Sequence, residues 1–311
     1  MEGKMKKEEL QELIKNISRN KPSNILTAFF VKKPSAAKMQ SFRPQVSNDV
    51  QQDIIELVIP YVEKQLENSA LVEYNPAGVM DGEIEHLGKS SIEQIATFLD
   101  SISDDNVFEE MSELEIKKVN FYCFKINYGG KTFYMFRQFS KMKKLRSGYI
   151  ARFFQNELKA MDGDFLGIDE TTDMILVDDQ IIVFNHISLE RIFNYRDQYL
   201  NKTHEAMGEI LQQGVIANLE QFNEDCCRDV RIMKRFTNIM TKGRLPLFFE
   251  NYEKVPDIVK ELGLDITFDD DGKIEYKDKS QLYHIVTLMS DSYFESLLAK
   301  RKGIAKLEED L

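Results

Sequence analysis

Along this 311-residue chain the apolar positions change period near residues 114 and 188. Over Lys6 to Arg19, Leu10, Leu13, Ile14 and Ile17 recur at helical spacing, which predicts an amphipathic helix. Ile25 to Val31 reads as a strand closed by Lys32-Lys33-Pro34. Asp49 to Asn68 places Ile54, Ile55, Val58, Val62 and Leu66 on one side of a second helix, which Pro60 is expected to kink or split. Leu71 to Tyr74 predicts a short strand, and Ser91 to Ile102 a helix that Ser90 or Ser91 could cap.

From about Leu114 the pattern turns to β. Ile116 to Tyr128 and Lys131 to Phe139 are aromatic and β-branched, and Gly129-Gly130 between them is a two-residue hairpin signal. Tyr149 to Phe154 predicts an added edge. Phe165 to Ile168, Met174 to Val177 and Gln180 to Phe184 continue the sheet. The last two are apolar at consecutive positions, which predicts burial on both faces. From Ser188, a reasonable N-cap, helical spacing returns with Leu189, Ile192, Phe193, Tyr199 and Leu200. Further helices are expected near 204–222, 228–242 and 251–262, then short strands and a helix to the end. The fold class is therefore α+β: a mixed or antiparallel central sheet with flanking helices, and a helical C-terminal half with an α/β tail. The texture change places a boundary in 110–118, dividing an N-terminal α/β region, 1–113, from a second region, 114–311.

Composition adds exclusions. At 42% apolar and 30% charged residues the chain is ordinary for a globular protein. Its longest apolar stretches, Ile25 to Val31 and Ile181 to Phe184, are too short to span a bilayer. The first residues carry charge but no apolar signal core, so a cytoplasmic location is expected. Three cysteines, Cys123, Cys226 and Cys227, do not make a disulfide framework and read as buried or half-buried thiols.

The net charge is −11, but it is segregated. Residues 121–160 hold nine basic and one acidic side chains, and 226–244 hold six and one. Such blocks can form basic patches on an acidic body, or disperse over the surface on folding. In the first block Arg137, Lys141, Lys143, Lys144, Arg146 and Arg152 are interleaved with Phe136, Phe139, Tyr149 and Phe153. Cations meet phosphates and aromatic rings stack on exposed bases, so this mixture is compatible with nucleic-acid binding. In the second, a helix over 228–242 would carry Arg228, Arg231, Arg235 and Lys242 in one stripe, opposite Ile232, Met233, Phe236, Ile239 and Met240. Arg244 extends that ridge. Pairing with Asp225 and Asp229 is the competing, purely structural use of these arginines.

Catalytic signals are weaker. A restriction-type nuclease needs an Asp and an acidic-x-Lys strand around a metal. Glu115-Ile116-Lys117, with Asp104 or Asp105 upstream, fits that short pattern, and Glu157-Leu158-Lys159 fits it but looks helical. A chain rich in Glu and Lys produces such triplets by chance. Asp269-Asp270-Asp271-Gly272 resembles half a calcium loop, but Thr267 would occupy its first ligand position, so a hairpin turn is expected. His86, His186, His204 and His284 are scattered. No catalytic residue, cofactor or metal is assigned, and a binding protein is the leading class.

Gly167-Ile168-Asp169, the strand Met174 to Val177, the turn Asp178-Asp179, Val183-Phe184-Asn185 and Leu189-Glu190-Arg191-Ile192-Phe193 together resemble the KwaB family. The resemblance extends more loosely over about 115–300. KwaB is the cytoplasmic component of the Kiwa anti-phage system. The resemblance implies a non-enzymatic defence effector that binds DNA and works with KwaA, a membrane protein. Together they would suppress phage DNA replication and late transcription. A homodimer is the default assembly. The resemblance transfers no contact residues, so the nominated DNA-binding residues are the eleven cations named above: six from Arg137 to Arg152, and Arg228, Arg231, Arg235, Lys242 and Arg244.

Overall fold

The computed structural model describes residues 6–20, 26–35, 37–110, 118–139, 167–296 and 298–305, and the backbone of 151–154 and 157–160. The chain forms two compact units, Met1–Tyr74 with Val79–Asn194, and Asn75–Gly78 with Tyr195–Leu311. The boundary expected at 113/114 falls inside the first unit, where strands from both sides of it share one sheet.

The first unit opens with α1 (Lys7–Asn20), β1 (Leu26–Ser35), β2 (Lys38–Phe42), α2 (Asn48–Asn68), β3 (Ala70–Glu73), β4 (Glu83–Gly88) and α3 (Glu93–Ser101). It continues with β5 (Phe121–Tyr128), β6 (Lys131–Gln138), β7 (Ala151–Phe154), β8 (Glu157–Ala160), β9 (Met174–Val177), β10 (Gln180–Val183) and α4 (His186–Ile192). Eight strands make one mixed sheet in the order β2-β1-β5-β6-β9-β10-β4-β3, with β3 and β4 parallel and every other pair antiparallel. The α+β expectation is borne out.

The sheet is covered on both faces. On one, α1 presents Leu10, Ile14 and Ile17, and α2 presents Ile54, Ile55, Val58, Val62 and Leu66, to Phe124, Ile126, Phe133, Ile175 and Val177. On the other, Phe98 of α3 and Phe193 beyond α4 stack with Phe121 and Phe136. Each such side chain contributes about 2 kcal/mol by leaving water. All eight residues of β9 and β10 are buried, polar Gln180 included, as the consecutive apolar positions in both strands predict. Gly129 and Gly130 take φ of +60° and +75°, which lets β5 turn directly into β6. The β9–β10 turn uses Asp178 at φ +51°, a conformation short polar residues tolerate.

Several local expectations are corrected. Pro60 does not split α2; Pro60 and Glu56 lie on its exposed face, where water can replace the missing amide donor. The N-cap of α3 is Ile92, after a turn of 3₁₀ helix, rather than Ser90 or Ser91. Asn185, not Ser188, caps α4, accepting from the Ser188 amide at 3.1 Å. The strand at 151–154 is no edge of the main sheet but pairs with β8, so Glu157-Leu158-Lys159 is extended rather than helical. Gly167 and Ile168 add no strand.

The second unit is α5 (Tyr195–Gln213), α6 (Leu219–Arg228), α7 (Val230–Thr241), α8 (Arg244–Glu250), α9 (Val255–Leu262), β11 (Thr267–Phe268), β12 (Ile274–Glu275), α10 (Lys279–Met289), β13 (Tyr293–Glu295) and β14 (Lys302–Ile304). Its core gathers Phe222, Phe236, Ile239, Tyr276, Ile285 and Met289. The turn between β11 and β12 is a hairpin: Gly272 takes φ +78° and Asp269 Oδ1 accepts from the Lys273 amide at 2.8 Å.

Candidate nucleic-acid interface

The nominated cations that the structure describes meet different surroundings in the two units. In the first unit, Arg137 on β6 donates Nε and Nη2 to Asp169, at 3.0 and 2.7 Å, and Nη1 to Asp173 at 2.9 Å. Asp173 is fully buried and also accepts from the Gln138 amide at 2.6 Å. The Arg137 side chain is 19% exposed. Burial opposes its charge, yet the bonds to the two carboxylates outweigh burial and raise its pKa above the usual guanidinium value. This arginine is consumed by a structural ion triad. Arg152 lies on β7, placed by backbone alone. Lys141, Lys143, Lys144 and Arg146 lie outside the described residues, as do Glu115 and Lys117.

In the second unit the expected helix over 228–242 is interrupted. Asp229 ends α6 and caps α7, its Oδ1 accepting from the Arg231 amide at 2.9 Å. A short polar side chain here satisfies a free amide better than a continued helix would. The apolar stripe is as expected, with Ile232, Met233, Phe236 and Ile239 buried, so α7 turns its cations outward. Arg228 therefore belongs to the preceding helix, and of the expected stripe Arg228, Arg231 and Arg235 line a groove.

That groove has a volume of 850 Å³. Arg228 at the end of α6, Arg231, Lys234 and Arg235 on α7, and Lys279 and Tyr283 on α10 line it, with Asp225 and Asp229. Five cations thus face two carboxylates. Arg231 is 89% and Arg228 66% exposed; they pair with Asp229 at 3.2 Å and Glu224 at 3.0 Å. Ion pairs in open water contribute little and exchange readily for a phosphate. The side-chain bond from Arg231 holds the Asp229 carboxyl below its usual range. Asp225 is fixed in the wall, accepting from Tyr276 Oη at 2.8 Å with Lys279 Nζ at 3.5 Å. Burial, then the hydrogen bond to that carboxylate, raises the Tyr276 phenol well above its usual value.

Arg235 is different again. Its guanidinium lies 4.1 Å from the Tyr283 ring centroid, donates Nη2 to Tyr283 Oη at 2.8 Å and donates Nη1 to Thr287 Oγ1 at 3.1 Å. Lys242 and Arg244 do not line the groove, and Arg244 Nη1 donates to the Ser290 carbonyl at 2.7 Å. The sequence reading missed Lys234, Lys279 and Tyr283. Lys234 was in reach as a neighbour on α7, whereas α10 joins the groove only through tertiary packing. A second cavity of 430 Å³, between α8, α9 and β13, is lined by Leu247, Ile258 and Phe294, and its Lys254 and Lys302 are outnumbered by Glu261, Asp291 and Glu295.

Other candidate chemistry resolves into structure. Asp104 is an ion-pair partner of Arg43, which also bonds Glu109 at 2.9 Å. His186 lies between two carboxylates, Nδ1 2.8 Å from Glu85 Oε2 and Nε2 2.8 Å from Glu190 Oε1, the latter a charge contact without hydrogen-bond alignment. Tyr74 stacks on its ring. Burial alone would lower the pKa of His186, but the two carboxylates raise it to about 9. Cys123 and Cys226 are buried and Cys227 is half-buried, and burial raises all three thiols. Among the described residues no three His, Cys, Asp or Glu side chains gather as a metal-ligand set, and no helix is long and apolar enough to cross a membrane.

The family model described as Kiwa protein KwaB-like matches residues 116–299. The chain belongs to the KwaB-like family. Its role accordingly lies in Kiwa anti-phage defence. The span shared with the family carries β5 to β13, both basic blocks and the groove. No curated protein and no solved structure matches the chain.

Proposed function

We propose that this KwaB-like chain is a DNA-binding effector of Kiwa defence that holds phosphates in the α6–α7–α10 groove. The observation that supports it is the convergence of Arg228, Arg231, Lys234, Arg235 and Lys279 on one concavity of an otherwise acidic protein. Guanidinium groups offer a planar fork of donors to phosphate oxygens, and such contacts carry little sequence information. The effector works without catalysis, in the cytoplasm, as a homodimer recruited to the membrane by a KwaA-like partner, and suppresses phage DNA replication and late transcription.

Gel retardation tests the DNA contact. With about four phosphates engaged, affinity falls about 100-fold between roughly 50 and 200 mM salt. Arg228→Glu with Arg231→Glu abolishes retardation while the circular dichroism spectrum is unchanged. Arg235 is left intact because its bonds to Tyr283 and Thr287 make it part of the packing. Normal retardation by the folded double variant sinks the groove assignment. DNA incubated with the protein and Mg²⁺ or Mn²⁺ stays intact. Cleavage lost in Glu115→Ala would instead favour a nuclease. Sedimentation with membranes only when the KwaA-like protein is co-expressed tests the partner.

A further inference from the structure

The groove is more than a phosphate clamp. Arg228 and Arg231 are exposed, and their partners Glu224 and Asp229 are 57% and 34% exposed, so both arginines can exchange these pairs for a phosphate chain. Arg235 cannot, because two hydrogen bonds and the ring contact lock its guanidinium to Tyr283 and Thr287. What Arg235 does is hold Tyr283. That ring lines the groove and is 39% exposed, on a helix whose buried side supplies Leu282, Ile285, Val286 and Met289 to the core. An exposed aromatic ring, braced by a guanidinium and flanked by exposed arginines, has no counterpart on duplex DNA. The duplex offers its outer phosphates and keeps its base faces stacked inside. An unpaired strand offers both: phosphates for the cations and a free π-face for the ring. A concavity of 850 Å³ also suits a nucleotide entering it better than a wide duplex rod resting across it.

We infer that the groove selects unpaired DNA, with a base stacked on the Tyr283–Arg235 plate and the flanking phosphates on Arg228, Arg231 and Lys279. This rests on the phosphate-binding reading and adds the class of strand. In it Tyr283 is a contact residue and Arg235 a positioning residue.

The test is fluorescence anisotropy on the full chain with three probes of equal length: a thymine single strand, the same strand with abasic sites throughout, and a duplex. The unaltered protein binds the thymine strand about 10-fold more tightly than the abasic strand, since only the bases can stack. Tyr283→Leu removes that preference and weakens strand binding more than duplex binding, whereas Tyr283→Phe keeps most of the preference because the ring remains. Equal binding of the thymine and abasic strands overturns the inference while the phosphate reading stands. So does an equal loss for strand and duplex in folded Tyr283→Leu. Failure to bind any of the three probes at low salt overturns the phosphate reading itself, and the inference with it.

Discussion

Arg137 and Arg231 carry the same charge in sequence blocks of the same kind, and the fold uses them in opposite ways. Arg137 sits against a doubly covered sheet, where a bare cation would be costly, and meets two aspartates that cancel it. Arg231 stands on the outer face of a helix whose other face builds a core, and its carboxylate partner Asp229 is 34% exposed. The lesson is that a basic stretch does not predict a basic surface. What decides is how far each cation is buried and how firmly its acid is held.

The largest expected effect breaks this comparison from the first unit. Arg137→Ala leaves the fully buried Asp173 without its cation and destabilises the first unit by about 3 kcal/mol, read by urea denaturation. Cys123, buried in that sheet, then becomes reactive to a thiol reagent before Cys226 in the second unit does. Simultaneous exposure of both thiols would show that the two units unfold as one.

Next comes His186, a half-buried cation of the first unit. The folded pKa of His186, about 9, lies above its ordinary 6.5, so its contribution is full below pH 6.5 and is lost as pH rises through about 9. Allowing for solvent screening of a partly buried group, this amounts to about 2 kcal/mol. His186→Gln should flatten the denaturation midpoint between those pH values. An unchanged slope would mean that the carboxylates do not hold an imidazolium.

Asp229→Ala sharpens the contrast from the second unit. Losing the cap of α7 costs about 1 kcal/mol of stability. It also releases Arg231, so DNA affinity rises about 3-fold. Asp169→Asn in the first unit should produce no such gain, because Asp173 still holds Arg137. The smallest effect is Arg231→Glu alone, which leaves the denaturation midpoint where it was and is visible only in DNA binding.

Much of the fold was legible because its signals are local. Two apolar strands in succession wrote the double burial of β9 and β10, and Gly129-Gly130 wrote its own hairpin. Breaks in helices were not legible, since apolar spacing runs on through them: the chain turns at Asn194, with φ +52°, between α4 and α5, and at Asp229 between α6 and α7. Pro60 misled in the other direction, because the rule that proline breaks helices weakens where the helix faces water.

Fold class, family, the hairpin turns and the apolar face of α7 can be read from the chain alone, because each depends on residues a few positions apart. So can the concentration of positive charge at 121–160 and 226–244. Where that charge acts depends on packing between distant segments. The acids that silence Arg137 lie 32 and 36 residues away, and the tyrosine that Arg235 braces lies 48 away. Those separations are bridged by packing, which no local pattern records, so Arg137 joined an ion triad with Asp169 and Asp173, and part of a ridge became one wall of a groove.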